Sequence, residues 1–169
     1  DPSDSTSLSN NNVKCILEPE IHDQDILWIG TTGGLNRFDK KTGLFTVYSM
    51  EKGFPNNTVL GILEDQSGNL WISTNKGLVR FDPATEEGKL YSHEDGLQSN
   101  EFNEGAYFKS NSGILYFGGV NGITYFKPDE IEDNPFQGKT VLTGFKINQN
   151  AIYAQDTLNG RVILEKSIS

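Results

Sequence analysis

Apolar residues fall in short bursts along this chain, separated by glycine or by small polar turns. Val59, Ile62 and Leu63 mark one strand, DQSG (65–68) the turn out of it, and Leu70, Trp71 and Ile72 the next strand. Leu78, Val79 and Phe81 carry a third. LFTVY (44–48), which follows the turn KKTG (40–43), alternates as a fourth strand does, and EEGKLYS (86–92) repeats it. Gly33-Gly34, Lys76-Gly77 and Asn121-Gly122 stand where tight hairpins with positive φ are expected. No stretch has the spacing of an amphipathic helix, so the pattern predicts an all-β protein.

The bursts recur. DILWIGTTGGLNRFD (25–39) matches NLWISTNKGLVRFD (69–82), and both match ILYFGGVNGITYFKP (114–128). Trp28, Trp71 and Tyr116 form one column, 43 and then 45 residues apart, and Gly34, Gly77, Gly122 and Phe38, Phe81, Phe126 keep those spacings. NNVKCILE (11–18) precedes the first copy as NTVLGILE (57–64) precedes the second and, more loosely, NEFNEGAYF (100–108) the third. Extra residues fall around Glu20 to Gln24 and within Asn103 to Phe108, between the shared columns. Four hairpin-linked strands per repeat of this length predict β-propeller blades. The expected architecture is a partial propeller over 1–134, with three four-stranded blades near 8–50, 51–94 and 95–130, although KPDEIEDNP after Phe126 offers no obvious fourth strand to the last. Blades pack face to face, which explains adjacent bulky residues such as LWI, small residues at Gly30, Ser73 and Gly118 near a narrow axis, and the aromatic column filling the wider space between blades. Complete propellers have about four to eight blades. Three leave two faces open, so the chain is expected to associate with itself, as a dimer that shares or closes the ring.

Beyond Pro135 the pattern changes. KTVLTGFKINQNAIY (139–153) reads as strand, turn and strand, and RVILEKSIS (161–169) starts another. So few strands do not stand alone, and 135–169 is expected to open a truncated β-sandwich.

Composition narrows the partners. The net charge of −9 opposes nucleic-acid binding. The lone Cys15 excludes an internal disulfide and a cysteine-built metal site; inside VKCILE it reads as a small core residue. No apolar run approaches the roughly 20 residues of a membrane span, and the polar DPSDSTSLSN is no signal peptide. A chain that opens and closes this abruptly is expected to be cut from a longer one.

Candidate chemistry is sparse. His22 lies in EIHDQD with Glu20, Asp23 and Asp25, a carboxylate-rich cluster better read as a solvated turn than as a metal site. His93 lies in the loop SHEDG. DQSGN (65–69) lacks the alternating acidic ligands of a calcium loop and reads as a hairpin turn. Trp28 and Trp71 could stack on sugars, yet their repeated place inside an apolar strand favours the core. Arg37 and Arg80 share a column that Tyr125 completes, and Arg37 is a weak candidate for ligand contact. The sequence assigns no catalytic, cofactor or metal residue and leaves the ligand-binding residues unknown.

LWIGTTGGLNRFD and GNLWISTNKGLVRFDP closely resemble the two-component regulator propeller repeat, and GLQSNEFNEGAYFKSNSGILYFGGVNGITYFKPDEI is similar to the last blade of such a propeller. The tail from Pro135 resembles the start of the Ig-like domain with conserved tyrosines that follows these propellers. The resemblance implies the periplasmic sensor region of a hybrid two-component histidine kinase of the kind common in Bacteroides-type bacteria. Such a sensor recognises an oligosaccharide and signals by rearranging its dimer, and its parent is anchored in the inner membrane by a helix absent here. No catalysis is implied for this segment. A protein-interaction scaffold is the alternative, and a propeller lyase a more distant one.

Overall fold

A computed structural model describes residues 4, 6–21, 24–50 and 54–131, and the backbone of four short strands beyond them. The first sheet is an antiparallel meander of β1 (Val13–Leu17), β2 (Ile26–Thr31), β3 (Gly34–Asp39) and β4 (Phe45–Tyr48). The second repeats it with β5 (Val59–Glu64), β6 (Leu70–Thr74), β7 (Gly77–Asp82) and β8 (Glu87–Tyr91). The third sheet contains β9 (Phe102–Lys109), β10 (Leu115–Gly119) and β11 (Gly122–Phe126). These are three propeller blades; the first two have the expected four strands, and the third has three among the described residues. After β11 the chain enters a 3-10 turn, Pro128–Glu130, with proline in its first position. Proline has no N–H to give to a strand ladder and fixes φ.

Register confirms the repeat. Trp28 lies between Leu17 and Arg37, Trp71 between Leu63 and Arg80, and Tyr116 between Phe108 and Tyr125. The additional residues of the third repeat are absorbed as an irregularity between Phe117 and Gly119 opposite β9, where Gly105 has φ +73°. The hairpin glycines sit one place later than the turn pattern suggests. The two-residue loops are Thr32-Gly33, Asn75-Lys76 and Val120-Asn121, and Gly34, Gly77 and Gly122 open the third strands with φ +138°, +126° and +113°. At Gly77 a side chain is also excluded by space, because a Cβ there would collide with the Tyr91 carbonyl oxygen.

The core lies between blades. One cluster joins Trp28, Ile26 and Leu35 of the first blade to Val59, Ile62, Ile72 and Phe81 of the second; another joins Trp71 and Leu78 to Phe102, Leu115 and Phe117 of the third. At each junction a tryptophan of one blade meets a phenylalanine of the next. Trp28 and Phe81 have ring centroids 5.7 Å apart, and Trp71 and Phe126 4.6 Å. Tyr48 and Tyr91 complete the two clusters from the fourth strands, at 5.9 and 5.5 Å from their own tryptophans. Tyr116 departs from the expected core column: it is half-buried, because no fourth blade among the described residues covers it. The inner strands β1, β5 and β9 approach one another, so the three sheets radiate from a common axis.

The chain divides into two compact units, Asp1–Ile131 and Glu132–Ser169. The second contains two hairpins, β12 (Phe145–Ile147) with β13 (Asn150–Ile152) and β14 (Thr157–Leu158) with β15 (Arg161–Val162). Most of 135–169, on which the expectation of an Ig-like sandwich falls, lies outside the described residues.

Candidate functional site

Because the blades are equivalent, the loops that join first to second strands all emerge at one end of the propeller. Three of them bound an open cleft of about 510 Å³. The first blade contributes Glu20 and Ile21, the second Gln66, and the third Lys109, Ser110, Asn111 and Gly113. Nearly every lining side chain is polar. Lys109 Nζ lies 3.1 Å from Glu20 Oε2, an ion pair that ties the outer blades together across the second. The Glu20 side chain is largely solvated, so that pair is modest in energy and sensitive to salt. The Ser110 hydroxyl is engaged by Ser112 and by the Ile114 N–H.

One residue that shapes the cleft has no counterpart in the sequence-level candidates. Glu64 ends β5, is buried, and accepts the Glu20 N–H at 2.5 Å and the Ile21 N–H at 3.3 Å. A carboxylate taken out of water is stabilised by such backbone donors, and here they fix the first blade's loop to the second blade. The repeated glutamate at the end of the apolar run, Glu18 in NNVKCILE and Glu64 in NTVLGILE, was the available signal. In the first blade Glu18 pairs instead with Lys40.

Few of the sequence candidates converge here. His22 and Asp23 lie outside the described residues. Glu20 faces Lys109 whereas Asp25 pairs with Lys41, so these two members of the acidic cluster serve different cations. Among the described residues, no three of His, Cys, Asp and Glu gather around a common point. His93 is exposed in a 3-10 turn capped by Ser92, and its N–H donates to Asn100 Oδ1 at 2.6 Å. Asp65 of DQSGN spends one carboxylate oxygen on the N–H groups of Ser67 and Asn69, both at 2.9 Å, as a hairpin-closing aspartate does. Trp28 and Trp71 are buried and present no face to a sugar. Arg37 and Arg80 pair across the strands with those tryptophans and do not line the cleft. Tyr125 is exposed on the outer face of the third blade.

The blades and their loops have recognisable relatives. Residues 53–76, which include β5 and β6, match the two component regulator propeller family. Histidine kinase P4 of Formosa agariphila is 32% identical over an alignment that covers 86% of this chain and 14% of the kinase. Among solved structures, the extracellular domain of a protein described as the hybrid two component system BT3049 of B. thetaiotaomicron superposes with a TM-score of 0.65 at 25% identity, covering 86% of this chain and 21% of that one. The extracellular domain of BT4673 of the same organism shares the fold, with a TM-score of 0.56 at 19% identity over 70% of this chain and 16% of its own. The chain thus spans well under a quarter of each of these relatives. Repeat spacing, cross-strand register, the interblade tryptophans and these likenesses agree: the three sheets are propeller blades, and the chain is similar to the two component regulator propeller family, whose model its second blade matches.

Proposed function

We propose that this chain is part of the extracellular or periplasmic sensor of a two-component system, that the cleft is where a carbohydrate ligand is read, and that occupancy is relayed by rearrangement of a dimer. The cleft carries the reading. Three blades converge on one polar surface in which the side-chain amides of Gln66 and Asn111 are exposed beside the charges of Lys109 and Glu20. Amides offer both donors and acceptors, the complement of a polyhydroxylated ligand. A ligand that bridges the loops would favour one arrangement of the blades over another, and a sensor needs only that differential binding. The names of the kinase and of the hybrid system support placement in a signalling protein, and residues 135–169 are read as the opening of the Ig-like module that follows the propeller.

The test is calorimetric titration of the sensor region with neutral and anionic oligosaccharides, comparing wild type with a Gln66→Ala, Asn111→Ala double variant. Both side chains are exposed, so the fold should survive. The expected result is saturable heat with at least one oligosaccharide class and at least a tenfold weakening in the variant. Unchanged affinity in the variant would remove the cleft from recognition, and no binding across the panel would remove the carbohydrate.

A further inference from the structure

Lys109 and Glu20 face each other across the cleft, and the two ends of that ion pair are held very differently. The Lys109 side chain is 26% exposed and that of Glu20 76%. Lys109 ends β9, so its stem rises from a strand paired at that point with Leu115. Glu20 sits in a loop whose backbone is fixed, since the Glu20 and Ile21 N–H groups donate to the buried Glu64 carboxylate. Its own carboxylate has no partner but Lys109 among the described residues. That carboxylate can swing into water without disturbing the loop that carries it.

The rest of the lining is ready to receive a ligand. Neither the Gln66 nor the Asn111 side-chain amide makes a hydrogen bond among the described residues. The Gln66 amide lies over the third blade's turn, where a Cβ on Gly113 would stand 2.7 Å from its nitrogen, so glycine there admits the second blade's amide. Glu20 is the one anion among the lining residues. With its carboxylate turned outward, the cleft presents one cation and two free amides. Losing the other end of the pair costs more. A cationic ligand would take Glu20 and leave the more buried Lys109 side chain without a counter-ion. An anionic ligand takes Lys109 and returns to water a carboxylate that is already largely solvated.

On the reading of the cleft as a carbohydrate site, on which this inference rests, we propose that its ligand is an anionic saccharide. The saccharide's carboxylate or sulfate displaces Glu20 from Lys109 while its hydroxyls meet the amides of Gln66 and Asn111. Glu20 is thus the chain's own competitor for the cation. Trading one solvent-screened ion pair for another is nearly neutral in energy, so the hydroxyl contacts supply the affinity. The exchange also releases the tie between the first and third blades. A neutral sugar would leave that tie intact, so the anion is what makes binding a signal.

The test is calorimetric titration of the sensor region with matched oligosaccharides of glucose, galactose and mannose, each as the neutral chain, the C6 carboxylate and the 6-sulfate. Wild type is compared with Lys109→Met and Glu20→Gln, and circular dichroism melts establish that each variant folds. At least one anionic chain should bind more tightly than its neutral counterpart, with affinity that falls as salt rises. Whether the carboxylate or the sulfate binds identifies the group. Lys109→Met should weaken that chain by about tenfold. Glu20→Gln should tighten it by about threefold, because the competitor is gone. The sign at Glu20 decides: a residue that touched the sugar, or only supported the fold, would weaken binding when changed. Neutral chains that bind as well as their anionic counterparts, or weaker anion binding in Glu20→Gln, overturn the displacement and leave the carbohydrate site standing. No saturable heat with any member of the set ends both readings.

Discussion

The indole N–H of Trp71 donates to Asp65 Oδ2 at 2.8 Å, with both side chains buried. The same carboxylate holds the β5–β6 turn through Ser67 and Asn69, so one anion closes a hairpin and anchors the largest side chain of the strand that follows. The pairing is specific to the second blade. In the third, Ser110 takes the aspartate's place and Tyr116 the tryptophan's, and a phenol ring has no N–H at that point. In the first, Pro19 follows Glu18 as Asp65 follows Glu64, and the buried Trp28 Nε1 has no hydrogen-bond partner among the described residues.

Asp65→Ala should therefore cost about 2–4 kcal/mol, since it strips a buried indole and two turn amides of their acceptor. Trp71→Phe should cost more than Trp28→Phe by about 1–2 kcal/mol, because the first loses a satisfied hydrogen bond and the second removes an orphaned donor. Urea unfolding of the four proteins, with the Asp65→Ala, Trp71→Phe double variant to complete the cycle, measures both. Additive losses at Asp65 and Trp71 would show that the hydrogen bond contributes nothing.

The Phe column supplies a second comparison. Phe81 is buried against Trp28, Tyr48 and Phe54, with centroids 5.7, 5.0 and 5.9 Å away, whereas Phe38, in the same column of the first blade, is half-buried and has no neighbouring blade over it among the described residues. Phe81→Ala should destabilise by about 3–5 kcal/mol and Phe38→Ala by about 1–2 kcal/mol. Denaturant midpoints of the two variants under monomeric conditions decide it. Equal losses would mean that the first blade's back is as well packed as the second's.

The repeat made this much legible in advance, because column identity in a meander is register: once Trp28, Trp71 and Tyr116 were aligned, strand order and interblade contacts followed. What stayed hidden depends on neighbours in space. Glu64 reads as the polar end of a strand, and its bond to the backbone of Glu20 joins residues that only stacked blades bring together. The cleft is likewise assembled from two, one and four ordinary residues in and beside the turns of the three blades, none of which carries a motif. Tyr116 looked like core because its column is core; it is half-buried because no blade among the described residues lies over it, which local sequence does not encode. The hairpin glycines were displaced by one position because the dipeptide pattern marks the presence of a turn, whereas the Tyr91 carbonyl marks which residue must lack a Cβ.

That last point separates two glycines of similar appearance. Gly77 combines φ +126° with a carbonyl oxygen where its Cβ would stand, and Gly43 has φ +73° with open space around it. Gly43→Ala should cost about 1 kcal/mol, the penalty of a left-handed alanine. Gly77→Ala must in addition push β7 away from β8 and should cost at least twice as much. Thermal melts rank them; a Gly77→Ala protein as stable as Gly43→Ala would mean that the ladder beside Tyr91 yields without loss.

Cys15 links burial to pH. Burial raises its thiol from 9.0 to about 12, opposed by a hydrogen bond with the Gly30 backbone and reinforced by the charge of Glu104. The folded thiol thus holds its proton where the unfolded one releases it, so the stabilisation is complete below pH 9 and drains away as pH climbs from 9 towards 12. The full drain corresponds to roughly 4 kcal/mol. Tyr48 adds to the alkaline loss in the same sense, because burial and then the acceptor Glu86 raise its phenol, so the cysteine's share is isolated by difference. Cys15→Ala should be somewhat less stable than wild type near neutrality, and the gap should close or reverse as the pH is raised through 9 to 11 in parallel unfolding titrations. At pH 8 the wild-type thiol should react with a disulfide reagent only as fast as the protein unfolds. Parallel alkaline curves for the two proteins, or prompt labelling of the native chain, would place Cys15 in contact with water and not in the seam between the first two blades.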